Sequence, residues 1–533
     1  VYKRQGYNYE AKYFRDLKTG RNGLLSEDLS DFNLATGTTI DLTGGRNEYA
    51  IMGWFYRAAY DYKGKYLFEM NGRYDGTSRF PRGKRFGFFP SFSAAYRISE
   101  EPFFEPLRKA VDNLKIRLSY GSLGNQQIGY YDFIQTVTTK GSMSDYSFDG
   151  TTLGQHATVS DPVSGNQTWE KVVSKNLGLD LNMFRNRLSL TADFYIRDTK
   201  DMLTAGIALP ATYGADSPKM NSADLRTKGY ELSLSWRDEF QLLRRPFTYS
   251  VTVTFNDYVT DITKYDNPDR TFAKSYYEGM RWGEIWGYRT GGLFASDAEA
   301  AGYAVDQTAV NNRINAAAGS ERGLHAGDLK FLDLDGDNII SIGKNTVDDP
   351  GDREIIGNSQ PRFHYGTTLS MSWAGIDFSI FFQGVGRRQW YPKANTIAFW
   401  GPYARPYASW IPKDFHKMYW SEENPDAYFP RPRGYTALQG TNRELTAVND
   451  RYLQNIGYCR LKNLTIGYTI PRRLTSKVGI KECRIYFSGE NLATWSALES
   501  DFLDPEQAAA DSDKKSNVYP WCRTYSVGLN LTF

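Results

Sequence analysis

The sequence predicts an all-β fold, specifically a transmembrane antiparallel up-and-down β-barrel. Three observations predict it: apolar and polar residues alternate with period two in many separate segments, the connectors between these segments alternate between short and long, and aromatic residues are unusually frequent. Of 533 residues, 38 are Tyr, 31 Phe and 12 Trp. Mean hydropathy is −0.55, the value of a soluble chain. A membrane barrel averages out the same way, because each strand sets lipid-facing apolar residues against polar lumen residues. The excess of Tyr and Trp fits strands that cross two membrane interfaces.

The alternation is clearest in two places. Over residues 247–256, Phe247, Tyr249, Val251, Val253 and Phe255 share one face, and Thr248, Ser250, Thr252, Thr254 and Asn256 the other. Over residues 188–197, Leu188, Leu190, Ala192, Phe194 and Ile196 oppose Ser189, Thr191, Asp193, Tyr195 and Arg197. Further copies begin near Leu114, Leu177, Tyr230, Phe363, Ile376, Leu464, Arg484 and Tyr525, with a weaker one over 66–75. The pattern predicts a dozen or more strands. Glu69, Arg73, Asp180, Asp193, Arg197, Glu231 and Arg237 fall on polar faces, which in a wide barrel line a wet lumen or meet a plug.

Lys63-Gly64, Arg185-Asn186 and Ala374-Gly375 read as tight hairpin turns. The opposite connectors are long and rich in Gly, Asp, Asn, Pro and aromatics, spanning about 24–46, 124–172, 258–360 and 386–450. Short turns at one end and long loops at the other is the outer-membrane barrel layout, whereas a soluble sandwich rarely carries loops of this length. The last strand sets Tyr525, Val527, Leu529, Leu531 and Phe533 against Ser526, Gly528, Asn530 and Thr532. An aromatic residue ending an alternating strand resembles the signal read by the barrel assembly machinery.

Several functions are excluded or unsupported. Lys and Arg total 64 against 61 Asp and Glu, a net charge of +3, which gives no basis for a nucleic-acid partner. Cys459, Cys483 and Cys522 show neither a disulfide framework nor zinc spacing. No run of eighteen apolar residues offers a transmembrane helix. His156, His325, His364 and His416 lack metal-protease spacing, and no nucleophile elbow or phosphate loop is present. The chain therefore reads as a non-enzyme. Residues 1–5 match the translation of GTG-TAT-AAG-AGA-CAG, the transposon mosaic end of library preparation, and on that reading are adapter-derived and stand outside the fold.

A family resemblance rests on motifs in order along almost the whole chain. They are Asn71-Gly72-Arg73-Tyr74-Asp75-Gly76-Thr77-Ser78-Arg79-Phe80, Phe88-Phe89-Pro90-Ser91-Phe92-Ser93, Leu114-Lys115-Ile116-Arg117-Leu118-Ser119-Tyr120-Gly121 leading into Gly124-Asn125-Gln126, and Trp169-Glu170-Lys171. Gly287-Tyr288 with Gly292-Leu293-Phe294, Ile355-Ile356-Gly357-Asn358, Leu461-Lys462-Asn463-Leu464 and Gly489-Glu490-Asn491-Leu492 continue the series. This text resembles the SusC/RagA family of TonB-dependent outer-membrane transporters. The resemblance implies that residues 6–533 are the C-terminal portion of a twenty-two-stranded barrel whose plug and TonB-contacting segment lie upstream. It implies a Gram-negative, Bacteroidota-like outer membrane and active import of oligosaccharides or similar nutrients. The implied partners are a SusD-like lipoprotein lid, the TonB-ExbB-ExbD complex, outer-membrane lipid and an oligosaccharide ligand. The competing readings are a passive porin, which an upstream plug would exclude, and a secreted all-β glycan-binding protein or glycoside hydrolase, which would need a paired-acid cleft.

Two loop regions carry candidate sites. Residues 333–341 set Asp333, Asp335 and Asp337 at positions 1, 3 and 5 of an EF-hand-type loop, with the Ile339 carbonyl at 7 and Ser341 at 9. Asn338 stands where Gly is usual and tolerates the left-handed turn. Lys344, at position 12, cannot ligate a cation, so the closing acid must come from Asp348, Asp349 or Asp352, and Asp352 matches the place of an acid in the resembling family. A structural Ca2+ is the expectation here, against an Asp/Gly-rich solvated turn. Aromatics cluster in the 386–450 loop: Trp390, Tyr391, Trp400, Tyr403, Tyr407, Trp410, Tyr419 and Trp420, with Trp282 and Trp286 a second small group. Exposed rings would stack on sugars, with Trp390, Tyr391, Trp400, Trp410 and Trp420 as the substrate candidates. Loop packing or a membrane girdle is the other reading.

Overall fold

A computed structural model describes the chain except for residues 27, 29–30, 141–149, 151–155, 207–209, 312–322, 405–410, 433–437, 439–442, 512–518 and 520. Its frame is one sheet of fourteen strands. These are β1 (Tyr2–Arg21), β2 (Ile40–Tyr62), β3 (Tyr66–Thr77), β4 (Phe86–Arg97), β5 (Val111–Asn125), β6 (Glu170–Met183) and β7 (Leu188–Ala205). They continue as β8 (Lys219–Leu242), β9 (Arg245–Lys264), β10 (Arg362–Trp373), β11 (Ile376–Arg387), β12 (Tyr458–Thr469), β13 (Glu482–Ser496) and β14 (Thr524–Thr532). Each pairs antiparallel with its neighbour in this order, with β1 and β14 at the ends. This is the up-and-down topology that period two predicts.

The connectors alternate as expected. Lys63 and Gly64 (φ 55° and 68°), Arg185 and Asn186 (63° and 59°) and Ala374 and Gly375 (54° and 90°) form left-handed hairpin turns. Leu243 and Arg244 (φ 52° and 63°) make a fourth such turn, one that carries no turn-type residue and so left no mark in the sequence. The long connectors are 22–39, 126–169, 265–361, 388–457 and 497–523, the last of which the sequence pattern does not mark.

The first long connector is a correction. The structure shortens the expected 24–46 loop to 22–39: β2 begins at Ile40, and Ile40 to Asn47 pair with Arg21 to Phe14. Residues 40–46 are exposed on both faces, so no buried side imposed an alternation on their sequence. Tyr2 to Gln5, set aside as adapter-derived, extend β1 opposite Ala59 to Tyr56. A ladder accepts any extended text at its end.

Register sorts the side chains onto two faces. Outward rows are apolar, for example Leu118, Leu177 and Phe194 on adjacent strands, and all three are exposed, as lipid-facing residues are. Aromatics edge this belt at both ends. Tyr62, Tyr66 and Tyr96 stack by the short turns, at 6.4 and 5.0 Å. Trp54, Tyr74 and Phe86 stack toward the long loops, at 6.2 and 5.3 Å. Eight residues separate Tyr66 from Tyr74, roughly 26 Å of strand at ~3.3 Å per residue. A tilt of about 40° makes that on the order of 20 Å across the membrane, close to the apolar band of outer-membrane barrels.

Candidate functional site

The inner face carries paired charges. Arg57 donates to Glu69 through Nε and Nη2, at 2.9 and 2.8 Å. Arg117 forks to Asp180 (3.0 Å) and Asp193 (3.0 and 3.1 Å), and Lys115 adds to Asp180 at 2.8 Å. Arg484 donates to Asp377 at 2.8 Å. A groove of about 1100 Å³ runs along this face over Ala59, Ser93, Ser119, Asn176 and Gly229, with Tyr195 and Tyr258 in its wall. Small inward residues on successive strands open it, and wet lumen is the space it provides.

Above the strands, the loops 265–361 and 388–457 fold together. Two small ladders brace the first, Glu284–Tyr288 with Arg353–Asn358 and Thr290–Leu293 with Leu329–Phe331. The Tyr288 amide then donates to the Val448 carbonyl of the second loop at 2.8 Å. Their shared core holds Phe331, Trp400, Tyr403, Phe429 and Tyr452. The tyrosine hydroxyls there find partners: Tyr391 donates to the carbonyls of Leu445 (2.9 Å) and Ala447 (3.1 Å), and Tyr452 to that of Tyr428 (3.2 Å). Burial pushes the Tyr391, Tyr403 and Tyr452 hydroxyls far above the ordinary tyrosine pKa.

The loop between β13 and β14 turns inward over the mouth. Arg460, on the inner face of β12, is 1% exposed. It donates to Asp504 (2.6 Å), Glu506 (2.9 Å) and Thr494 (2.9 Å), while Lys462 reaches Glu506 at 3.0 Å. A cavity of about 530 Å³ opens beside this anchor, lined among others by Asn256, His364, Gln383, Arg388, Tyr458 and Glu506. Its wall is amide, imidazole, guanidinium and phenol, a set that hydrogen-bonds hydroxyl-rich ligands. His364 Nδ1 is buried there without a hydrogen-bond partner. Burial lowers the Arg388 pKa.

The aromatic expectation divides. Trp390, Trp400 and Trp420 are 7%, 1% and 7% exposed, so their faces are not open for stacking. Ile456 and Ala508 cover Trp390, the shared core covers Trp400, and Ala326 and Ala427 cover Trp420. For these three the structure corrects the sugar-stacking expectation in favour of loop packing, because the rings join apolar residues, as Trp400 joins Leu329, Ile340 and Leu445, in the core that the long loops build. Tyr391 is half-buried against the same core. Trp410 and Tyr407 lie outside the described residues. Trp282 stacks on Tyr276 at 5.0 Å and Trp286 packs on Phe272 at 4.8 Å. Tyr213, in the 206–218 connector, is exposed instead. Gln383 and Arg388 belong to no sequence motif, and Asn256 shows only as one more polar residue of an alternating face; register alone brings the three together.

In the acidic loop, one carboxylate oxygen each from Asp333, Asp335 and Asp352 lies within 4.8 Å of the other two. Asn338 takes the left-handed conformation, at φ 62°. Asp352 is fully buried and accepts from the amides of Leu334 and Ser341, both at 2.7 Å. Asp333 accepts from Gly336 (2.7 Å) and Asn338 (2.8 Å), which holds its pKa below the usual range. The Asp337 amide pulls Asp335 down, but desolvation and the charges of Asp352, Asp337 and Asp333 outweigh it and leave Asp335 raised. Asp337 turns away to cap the Ile339 amide at 2.7 Å, and Ser341 Oγ accepts from Gly343 at 3.1 Å. Hard oxygens so crowded fit a divalent cation such as calcium.

On β14, Tyr525, Val527, Leu529, Leu531 and Phe533 are all exposed, Val527 opposite Phe487 in the outward rows. No described helix is long and apolar enough to cross a membrane, which is silent about strands.

A many-stranded up-and-down sheet with an apolar outer belt, an ion-paired inner face and a folded loop domain over one end defines an outer-membrane β-barrel. Residues 3–324 match the TonB dependent receptor-like β-barrel family, and the chain belongs to it. That family is one of receptors and transporters rather than enzymes. The chain is 29% identical to TonB-dependent receptor P3 of Formosa agariphila, over 99% of this chain and 50% of that protein. It is 24% identical to TonB-dependent receptor SusC of Bacteroides thetaiotaomicron, over 91% and 44% respectively. Among solved structures it resembles the RagAB peptide importer in its open-open state, with TM-score 0.72, 21% identity, 99% of this chain and 52% of that one. The chain thus spans about half the length of the curated relatives it matches.

Proposed function

We propose that the receptor carrying this chain actively imports oligosaccharides or similar nutrients across the outer membrane. A SusD-like lipoprotein closes over the loop domain, and the TonB-ExbB-ExbD complex supplies the energy. The observation that supports this reading is the polar cavity at the mouth, between the inner face and the inturned last loop, in a chain whose relatives include SusC. Asn256, Gln383, Arg388 and Tyr458 offer the mixed donors and acceptors that hold sugar hydroxyls. No bond in the substrate changes. Binding and release do the work, with the paired inner charges keeping the lumen wall rigid. Asp333, Asp335 and Asp352 hold a structural Ca2+ that pins the 265–361 loop.

The test is growth of the source bacterium on a panel of purified glycans, with the receptor gene deleted and restored. Loss of growth on one glycan class, shared by a tonB deletion, supports active import. Uptake that continues without TonB favours a passive porin. Loss of growth on peptides alone overturns the saccharide assignment.

A further inference from the structure

Four lysines stand together on the outward face of β6, β7 and β8, beyond the apolar belt. Lys171 pairs directly with Lys200 across β6 and β7. Lys175 and Lys228 flank Ile196 at one level, each in register with it. The outward row beneath them is Leu177, Phe194 and Tyr230, with the last two rings 6.4 Å apart. All four lysines are exposed. Among the described residues none has an ion-pair or hydrogen-bond partner, although like charges set directly opposite across a ladder repel. The outward carboxylates nearby are already taken: Asp198 by Arg226 at 2.6 Å, Asp257 by Arg362 and Asp261 by Arg281 at 3.2 Å.

Their height is the second observation. Nine residues separate Lys175 from Phe184 at the short turn, roughly 30 Å of strand at ~3.3 Å per residue. With a tilt of about 40° this is on the order of 23 Å, the height of the apolar band. Lys175 and Lys228 therefore lie at the membrane interface on the long-loop side, where the outer leaflet presents its headgroups, and Lys171 and Lys200, four residues further along their strands, stand on the order of 10 Å above them. Long aliphatic stems suit this place, since they run along the apolar surface and deliver the ammonium to the interface.

We propose that Lys171, Lys175, Lys200 and Lys228 form a binding surface for the phosphate groups of an outer-leaflet saccharolipid, one lipid molecule seated with its acyl chains on the Leu177, Phe194 and Tyr230 row. The positive charge, unpaired among the described residues, is complementary to the phosphates. The acyl chains cover apolar rows that have no protein neighbour. A lysine near an anionic surface contributes on the order of a fivefold affinity factor, so four together select phosphorylated over neutral headgroups.

The experiment uses the complete receptor in detergent and compares phosphorylated lipid A with the same lipid after enzymatic dephosphorylation, by native mass spectrometry. The wild type is expected to prefer the phosphorylated form by at least about tenfold. The quadruple variant K171Q/K175Q/K200Q/K228Q is expected to lose that preference while keeping the heat-modifiable gel mobility of a folded barrel. If the quadruple variant fails to fold, the double variant K175Q/K228Q is expected to reduce the preference by several fold. Equal binding of both lipids by the wild type overturns the proposal, as does a folded variant that keeps the preference. Competition by millimolar inorganic phosphate as effective as by the lipid overturns the lipid assignment in favour of a soluble anion.

Discussion

The guanidinium of Arg117 lies across Gly178. The two residues are opposite one another on β5 and β6, and a Cβ at Gly178 would sit 2.5 Å from Arg117 Cζ. The missing side chain lets the arginine pass over the intervening strand to Asp193 on β7 while still holding Asp180 on β6. The device recurs at Gly467, where a Cβ would lie 2.5 Å from both Asp377 Oδ1 and Arg484 Nη2, with the bridge spanning β11 to β13 over β12. Glycine in a strand usually weakens it. Here it lets one ion pair tie three strands.

Gly178→Val is therefore expected to destabilise the barrel by about 1–3 kcal/mol, the cost of forcing bulk into a packed site. Urea titration followed by heat-modifiable gel mobility measures it. In the Arg117→Ala background the same substitution should cost far less, because the obstructing guanidinium is gone. Equal costs in the two backgrounds would refute the relationship.

Arg460→Ala leaves the nearly buried Asp504 without its arginine, while Glu506 keeps Lys462 at 3.0 Å. Removing one partner of a buried ion pair costs about 3–5 kcal/mol. Locally, that is enough to release the last loop from the mouth. Amide hydrogen exchange should rise in residues 497–511 and stay unchanged in β12. An unaltered exchange pattern would show that the apolar contacts of Ala508 with Trp390 and Ile456 hold the loop alone.

Trp400→Ala removes the largest fully buried side chain of the loop domain, at an expected cost of about 3–5 kcal/mol. Limited proteolysis should then cut loops 265–361 and 388–457 faster, with the strands still protected. If Trp400 instead touched substrate, the variant would lose ligand affinity with normal protease resistance.

The sequence disclosed the frame because lipid on one side and water on the other force a strict alternation on every crossing strand. Phe247 to Asn256 shows it without any structure. The signal failed where that asymmetry ends. Residues 40–46 project beyond the membrane with water on both faces, so Asp41, Thr43 and Arg46 satisfy no pattern and read as loop. Leu243-Arg244 turns without turn residues, held by the strong strands on either side. The aromatic cluster was visible as composition, but whether Trp400 faces sugar or core depends on which loops meet, and that is set by contacts more than a hundred residues apart, such as Tyr288 with Val448. The mouth cavity was illegible for the same reason: Asn256, Gln383 and Glu506 come from two strands and a loop.

Calcium is best tested at Asp335. Asp352 also anchors the amides of Leu334 and Ser341, and Asp333 those of Gly336 and Asn338, so neutralising either disturbs the loop with or without metal. Asp335 accepts only from the Asp337 amide, at 3.2 Å, and Asp335→Asn keeps an acceptor there. In the wild type, calcium at a hundred times its dissociation constant should stabilise the loop by about 2.7 kcal/mol, read as slower hydrogen exchange over residues 330–353. Chelation should abolish that protection. In the Asp335→Asn variant, exchange should match the chelated wild type and no longer respond to calcium. Exchange in the wild type that is indifferent to both calcium and chelator would mean that the amide caps alone hold the turn.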